Sequence, residues 1–154
     1  MKFLGRLLLF VVLASLAIAL YATFRTPGHL YAQTGVFADC PARPSCVSSV
    51  AEDEVHRIEP LRYEGDLLQA HERLVEAIRA MPGGRIEEER AEYLHVLFTT
   101  PKMRFRDDLE LLIEPDGQIQ VRSISRFGYR DFGVNRARVE ELRQRFEAGA
   151  SRQN

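Results

Sequence analysis

The chain has 154 residues, 45% of them hydrophobic, with 21 Lys plus Arg against 22 Asp plus Glu and a formal charge of −1. Setting Lys2 and Arg6 aside with the N-terminal apolar run takes the 21 basic residues to 19 against 22 acids, a formal charge of −3. That balance excludes the basic excess of a nucleic-acid binder, and with Lys102 the sole lysine after Lys2 most lysine chemistry is excluded too.

Residues 7–24 carry no charge and follow Lys2 and Arg6. Eighteen residues at 1.5 Å each make a helix of about 27 Å, near the thickness of a bilayer's hydrocarbon core. The run has no polar face, which a buried core helix would also lack only in a much larger protein. Residues 1–24 are therefore expected to be a membrane anchor, with Lys2 and Arg6 in the cytoplasm and the rest on the far side. The expected setting is an inner membrane with the soluble part in the periplasm. The alternative is a signal peptide cut after Ala17-Ile-Ala19, releasing the protein to the periplasm.

Residues 25–39 read as a linker, 40–147 as one extracytoplasmic domain and 148–154 as a polar tail. About 110 residues suffice for one core. Cys40 and Cys46 flank Pro41 and Pro44. In an oxidising compartment this even pair reads as a disulfide; free thiols and a redox dithiol are the alternatives, the latter disfavoured by five intervening residues rather than two. No His lies at metal-ligand spacing from them, so no metal and no cofactor is expected.

A short strand is expected at 56–63, held to an edge by Pro60. From Asp66 to Met81, Leu67, His71, Leu74, Ile78 and Met81 recur at helical spacing, with Asp66 placed to cap and Pro82-Gly83-Gly84 to stop. Residues 85–99 read as extended, and 105–113 and 119–127 alternate. A last helix over 135–146 buries Val139, Leu142 and Phe146. The order β-α-β-β-β-α predicts an α+β fold: a small antiparallel sheet with two helices on one face.

The turn Glu114-Pro-Asp-Gly-Gln118 fixes the last register, with Pro115 at the first corner and Gly117 in the left-handed position. Ile113 then faces Ile119, Leu111 faces Val121, Leu109 faces Ser123, Asp107 faces Ser125 and Phe105 faces Phe127; Glu110 meets Arg122 on the opposite face. This puts Asp107, Ser123 and Ser125 on the core-directed side, at the end away from the turn, where a bare carboxylate would cost several kcal/mol, about 2–7 for an unpaired polar group alone. There the chain enters a loop rich in aromatics and arginines, Arg122-Ser-Ile-Ser-Arg-Phe-Gly-Tyr-Arg-Asp-Phe-Gly-Val-Asn-Arg136, unlike ordinary connections.

That stretch, with Cys40-Pro-Ala-Arg-Pro-Ser-Cys-Val-Ser-Ser49 and Phe105-Arg-Asp-Asp108, resembles the bacterial and plastid family called "domain of unknown function 1499", from about Cys40 to Phe146. The family pattern has Asn before the second cysteine where this chain has Ser45. The resemblance implies a fold and an envelope or organelle-lumen setting, but no activity.

Two readings of the polar end follow from the residues. In one, Asp107 is paired with the serines, Arg126, Arg136 or loop N–H groups, and the network only anchors the loop and final helix. In the other, Asp107, Ser123, Ser125, Arg126, Tyr129, Asn135 and Arg136 line a pocket for an anionic or polar small molecule. Catalytic residues remain unassigned: Asp107 and Asp108 point to opposite faces, and no nucleophile elbow, phosphate loop or zinc-protease motif is present. The Arg104, Arg106, Arg126, Arg130 cluster reads as a solvated surface, with a lipid headgroup or an acidic protein face as the functional alternatives. The expected function is a tethered, non-enzymatic binding or accessory module whose partner is a small polar ligand or an envelope protein. A small hydrolase or isomerase using Asp107 and Ser125, and a purely structural envelope protein, are the alternatives.

Overall fold

The computed structural model describes residues 2–24 and 27–150, apart from the side chains at 2–4, 19 and 22–24. Its elements in chain order are α1 (Lys2–Phe24), α2 (Tyr31–Thr34), β1 (Cys46–Ser48), β2 (Leu61–Arg62), α3 (Leu67–Arg79), β3 (Gly84–Glu89), β4 (Tyr93–Thr99), β5 (Arg106–Ile113), β6 (Gln118–Ser125) and α4 (Val134–Ala150). The fold is α+β. Its antiparallel sheet has six strands, in the order β1-β6-β5-β4-β3, and β2 also pairs with β6.

The sheet is larger than the alternation in the sequence indicates. The extended run at 85–99 is a hairpin: β3 and β4 turn at residues 90–92, and the register shifts between Ile86 and Glu88. β1 adds a strand that has no alternation to reveal it. The 56–63 strand shrinks to Leu61–Arg62, with an isolated bridge from Arg57 to Ser48. α4 continues to Ala150, into the stretch read as a polar tail.

The last hairpin has the expected register. Asp107 pairs with Ser125, Leu109 with Ser123, Leu111 with Val121 and Ile113 with Ile119. Its turn closes with the Glu114 N–H donating to Gln118 O at 2.8 Å, and Gly117 sits at φ +88°. A Cβ there would lie 3.0 Å from Tyr63 O, so glycine satisfies both the turn and the close approach of the chain just after β2.

Alternation then sorts the sheet into two faces. Leu94, Val96, Phe98, Leu109, Leu111, Ile113, Ile119 and Val121 form the core with Leu74, Ile78, Val139, Leu142 and Phe146 of α3 and α4. On α3, Ala70, Leu74, Val75, Ala77 and Ile78 are buried while Leu68 is exposed. Asp66 holds the N-cap position, but its backbone carbonyl rather than its side chain engages the helix.

The opposite face is closed as well. Tyr93, His95, Asp108, Glu110, Arg122 and Ile124 are all buried there. Part of the cover comes from the stretch read as a linker. Leu30 is buried, the Tyr31 ring stacks on Tyr93 with centroids 5.2 Å apart, and the Tyr31 N–H donates to Glu110 Oε1 at 2.6 Å.

Among the described residues, no helix is long and apolar enough to cross a membrane. The expected span over 7–24 includes side chains at 19 and 22–24 that lie outside the described residues.

Candidate functional site

β5 carries three acids, Asp107, Asp108 and Glu110, all at most 3% exposed, and each is bound by an arginine. Alternation sends Asp107 to the helix face and the other two to the opposite face. Two charged networks result, back to back across one strand.

On the helix face, Asp107 Oδ2 accepts from Arg138 Nη2 at 2.6 Å. Arg138 Nη1 also donates to Asn135 Oδ1 at 2.6 Å, and its guanidinium lies 4.7 Å from the Phe98 ring centroid. Ser123 Oγ donates to Asn135 Oδ1 at 2.7 Å. The Asn135 amide then donates to Ser125 Oγ, Ser45 O and Asp131 Oδ2 at 3.0, 3.1 and 2.9 Å. Asn135 thus ties α4, β6, the 126–133 loop and the disulfide loop at one point.

Of the seven residues expected to line one pocket, Asp107, Ser123, Ser125 and Asn135 come together in this network. Arg126 binds Asp108 on the other face. Tyr129 is exposed, and Arg136 Nη2 donates to Val55 O at the surface. Arg138, the partner of Asp107, was not among the expected residues. Its signal lay in the helical stripe: 135, 138, 139, 142 and 146 share the buried face of α4.

On the other face, Asp108 accepts from Arg126 Nε and Nη2 at 2.8 and 2.7 Å and from His95 Nε2 at 2.7 Å. Burial pushes the Asp108 carboxyl up, but the hydrogen bonds from Arg126 and His95 outweigh it and hold it below the usual carboxylate range. An ionised Asp108 has no proton to give, so His95 Nε2 carries the one between them. Glu110 accepts from Arg122 Nη1, Tyr93 Oη and the Tyr31 N–H. Burial, and then the Glu110 charge, push the Tyr93 phenol far above its ordinary value. Among the described residues, the buried Arg122 Nε has no hydrogen-bond partner.

Beside Asp108 lies a cavity of about 400 Å³, lined among others by His29, Arg43, Asp108, Ser125 and Arg126. Cys40 and Cys46 are joined by a disulfide, and β1, which starts at Cys46, pairs with β6. That loop presents Arg43 to the cavity, where Nη1 donates to Gly128 O at 2.8 Å and Nη2 to Ser125 O at 2.9 Å. Arg43 meets no carboxylate among the described residues. Behind it, His56 bonds Asp53 through Nδ1 and donates from Nε2 to Arg43 O. Both nitrogens are engaged, so His56 is a support and not a free base. Burial, and then the Arg122 charge, lower the proton affinity of His29.

Among the described residues, no three His, Cys, Asp or Glu side chains are grouped to hold a metal ion. No curated protein and no solved structure matches the chain. A family model does, over residues 37–146, more than two thirds of the sequence. The matched stretch holds the disulfide loop, β5 and the β6–α4 loop, the three motifs that the fold brings to one end of the sheet. The chain belongs to the family described as "Protein of unknown function (DUF1499)".

Proposed function

We propose that this chain is a membrane-tethered extracytoplasmic binding module, held at an inner membrane by its N-terminal helix, and that the cavity beside Asp108 takes a small anionic group. The observation that carries the ligand reading is Arg43. Asp108 neutralises Arg126 within the cavity wall, whereas both Arg43 contacts are to carbonyl oxygens. The wall therefore has one positive charge in excess, beside the Ser125 backbone and the uncharged form of His29. A carboxylate or phosphate suits that surplus. The tether reading rests on the uncharged run at 7–24 and the Lys2 and Arg6 that precede it.

A catalytic use of Asp107 and Ser125 has less support. The Asp107 carboxylate is bound by Arg138, and Ser125 Oγ accepts from Asn135, so neither is placed to act on an outside molecule.

Native mass spectrometry of the full chain, extracted from membranes in mild detergent, tests the ligand reading. A small anionic adduct is expected on the wild type and lost from Arg43→Met, with the domain still folded. A bare wild-type mass, or an adduct indifferent to Arg43, ends the reading. The tether is tested separately by a reporter fused after Asn154, which should be active only when exported.

A further inference from the structure

Two loops meet at the same end of the sheet, 100–105 between β4 and β5 and 126–133 between β6 and α4. They are joined by Phe105 and Phe127, whose rings stack with centroids 6.3 Å apart. Their apolar side chains face outward: Phe132 is 94% exposed, Met103 68%, Tyr129 66% and Phe127 49%. Scattered single hydrophobics on a surface need no explanation, but aromatics gathered on adjoining loops do.

The charges in these loops are equally one-sided. Lys102, Arg104 and Arg130 are exposed. The one acid in either loop, Asp131, is turned to the protein, accepting from the Gly133 N–H, the Asn135 N–H and the Asn135 amide. Aromatic side chains interleaved with cations form the chemistry of a protein surface that sits at the level of lipid headgroups.

The backbone points the same way. Arg104 at φ +55° and Phe132 at φ +56° are the only non-glycine residues with positive φ among the described residues, one in each loop. Such conformations persist where the surroundings impose them, and they cluster at functional sites. Here the Asp131 carboxylate fixes the chain around Phe132, and the Arg104 N–H and Phe105 N–H bond Thr100. Phe132 is presented outward by a built loop and does not fold back on the domain.

Position identifies the occupant. The cavity wall beside these loops is completed by Tyr21 of α1 and by Pro27 and Gly28, together with Ser125 and Arg126. Two residues separate Phe24 from Pro27, so the three steps between them reach about 10 Å at most. We infer that the two loops are a second membrane contact, seating the domain on an anionic bilayer surface with Phe132, Tyr129 and Met103 at the headgroup level. The inference rests on the tether reading, because only a domain held by that helix has this end brought to the bilayer. A protein partner would also accept aromatic and arginine side chains, but nothing ties one to the side where the helix enters.

The chain has no tryptophan, so one introduced tryptophan is a clean probe. Phe132→Trp is made in the full chain, with Leu68→Trp, on the exposed face of α3, as the comparison. Each is reconstituted into vesicles with and without anionic lipid and with brominated acyl chains. Trp at 132 should be blue-shifted and quenched by bromine several-fold more than Trp at 68. Anionic lipid should increase the quenching, and Lys102→Glu with Arg130→Glu should remove the increase. Chain that floats with the vesicles while Trp at 132 stays water-like overturns the loop contact and leaves the tether standing. Chain that does not float at all overturns both. A blue shift without bromine quenching means that a protein surface covers the loop, and the lipid assignment fails.

Discussion

The two faces of this sheet are both covered, but by opposite chemistry. The helix face excludes water with Leu, Val, Ile and Phe against α3 and α4. The other face buries Asp108, Glu110, Arg122 and His95, partly under the 27–37 segment. Apolar burial stabilises in proportion to area, about 25 cal/mol per Å². Buried ion pairs gain little net stability, because the cost of desolvation offsets the attraction. What they do is specify: Glu110 accepts only where Arg122, Tyr93 and the Tyr31 N–H converge, so the chain leaving α1 has one place to lie. The core holds the domain together, and the charged face sets how it hangs from its N-terminal helix.

The sharpest way to break this contrast is Glu110→Ala. It strands the Arg122 guanidinium, the Tyr93 hydroxyl and the Tyr31 N–H at once. Removing one partner of a buried pair costs about 3–5 kcal/mol, and the upper half of that range is expected in urea denaturation of the full chain in detergent. Proteolysis within 27–37 should speed up in parallel. A loss below about 1 kcal/mol, the scale of an exposed pair, would mean that this face is open to water.

Next come Asp107 and Asp108. Adjacent on one strand, they answer to different covers. Read from the strand pattern alone, Asp108 points away from the core and Asp108→Ala should cost little. The structure reverses that expectation, because Asp108 is fully buried between Arg126 and His95. Each alanine variant should cost about 3 kcal/mol or more, and the two should agree within about 1 kcal/mol given how far such values vary with context. A small effect at Asp108 alone would restore the one-sided sheet.

These two residues also show what was legible in the sequence. The turn at 114–118 set the β5–β6 register, and with it the placement of Asp107, Ser123 and Ser125, because hairpin geometry is local. The hydrophobic stripes of α3 and α4 were equally legible. Other parts were not. β1 has three residues and becomes a strand only by pairing with β6 beside the disulfide loop. The β3–β4 turn at 90–92 lacks the Gly or Pro that marks such turns. The cover over Asp108 and Glu110 comes from a stretch too short for any periodicity to announce a buried residue, yet Leu30 is 1% exposed. Arg138 was missed because a charge on a helix is read first as solvated.

A smaller effect tests the side on which the two faces share a support. The Cys40–Cys46 loop holds β1 and delivers Arg43 to the cavity. Closing a loop of seven residues contributes about 2.4 kcal/mol in the chain-entropy account. Cys40→Ser with Cys46→Ser should lose about that much while circular dichroism shows the sheet intact. Loss of the whole fold would mean that β1 is needed for the core as well as for the charged face.

The smallest expected effect isolates the charged face from the core by pH. His29 sits beside that network, with burial and Arg122 lowering its proton affinity while Glu110 and Asp108 pull the other way and Arg43 adds to the lowering. A lowered histidine contributes fully above its unfolded value, about 6.5, where both states are neutral. As pH falls below that, the unfolded chain takes the proton first, and the contribution is lost as the folded value is approached. The ring is largely exposed, so screening keeps the effect modest and local to the 27–37 segment. The Tyr31 amide, bonded to Glu110, is the reporter. Its hydrogen-exchange protection, corrected for intrinsic rate, should fall between pH 7 and 5 in the wild type. In His29→Gln it should stay level, while core amides of β5 are unchanged in both. An equal fall in the variant would assign the acid sensitivity to another group and remove His29 from the account of how this face is held.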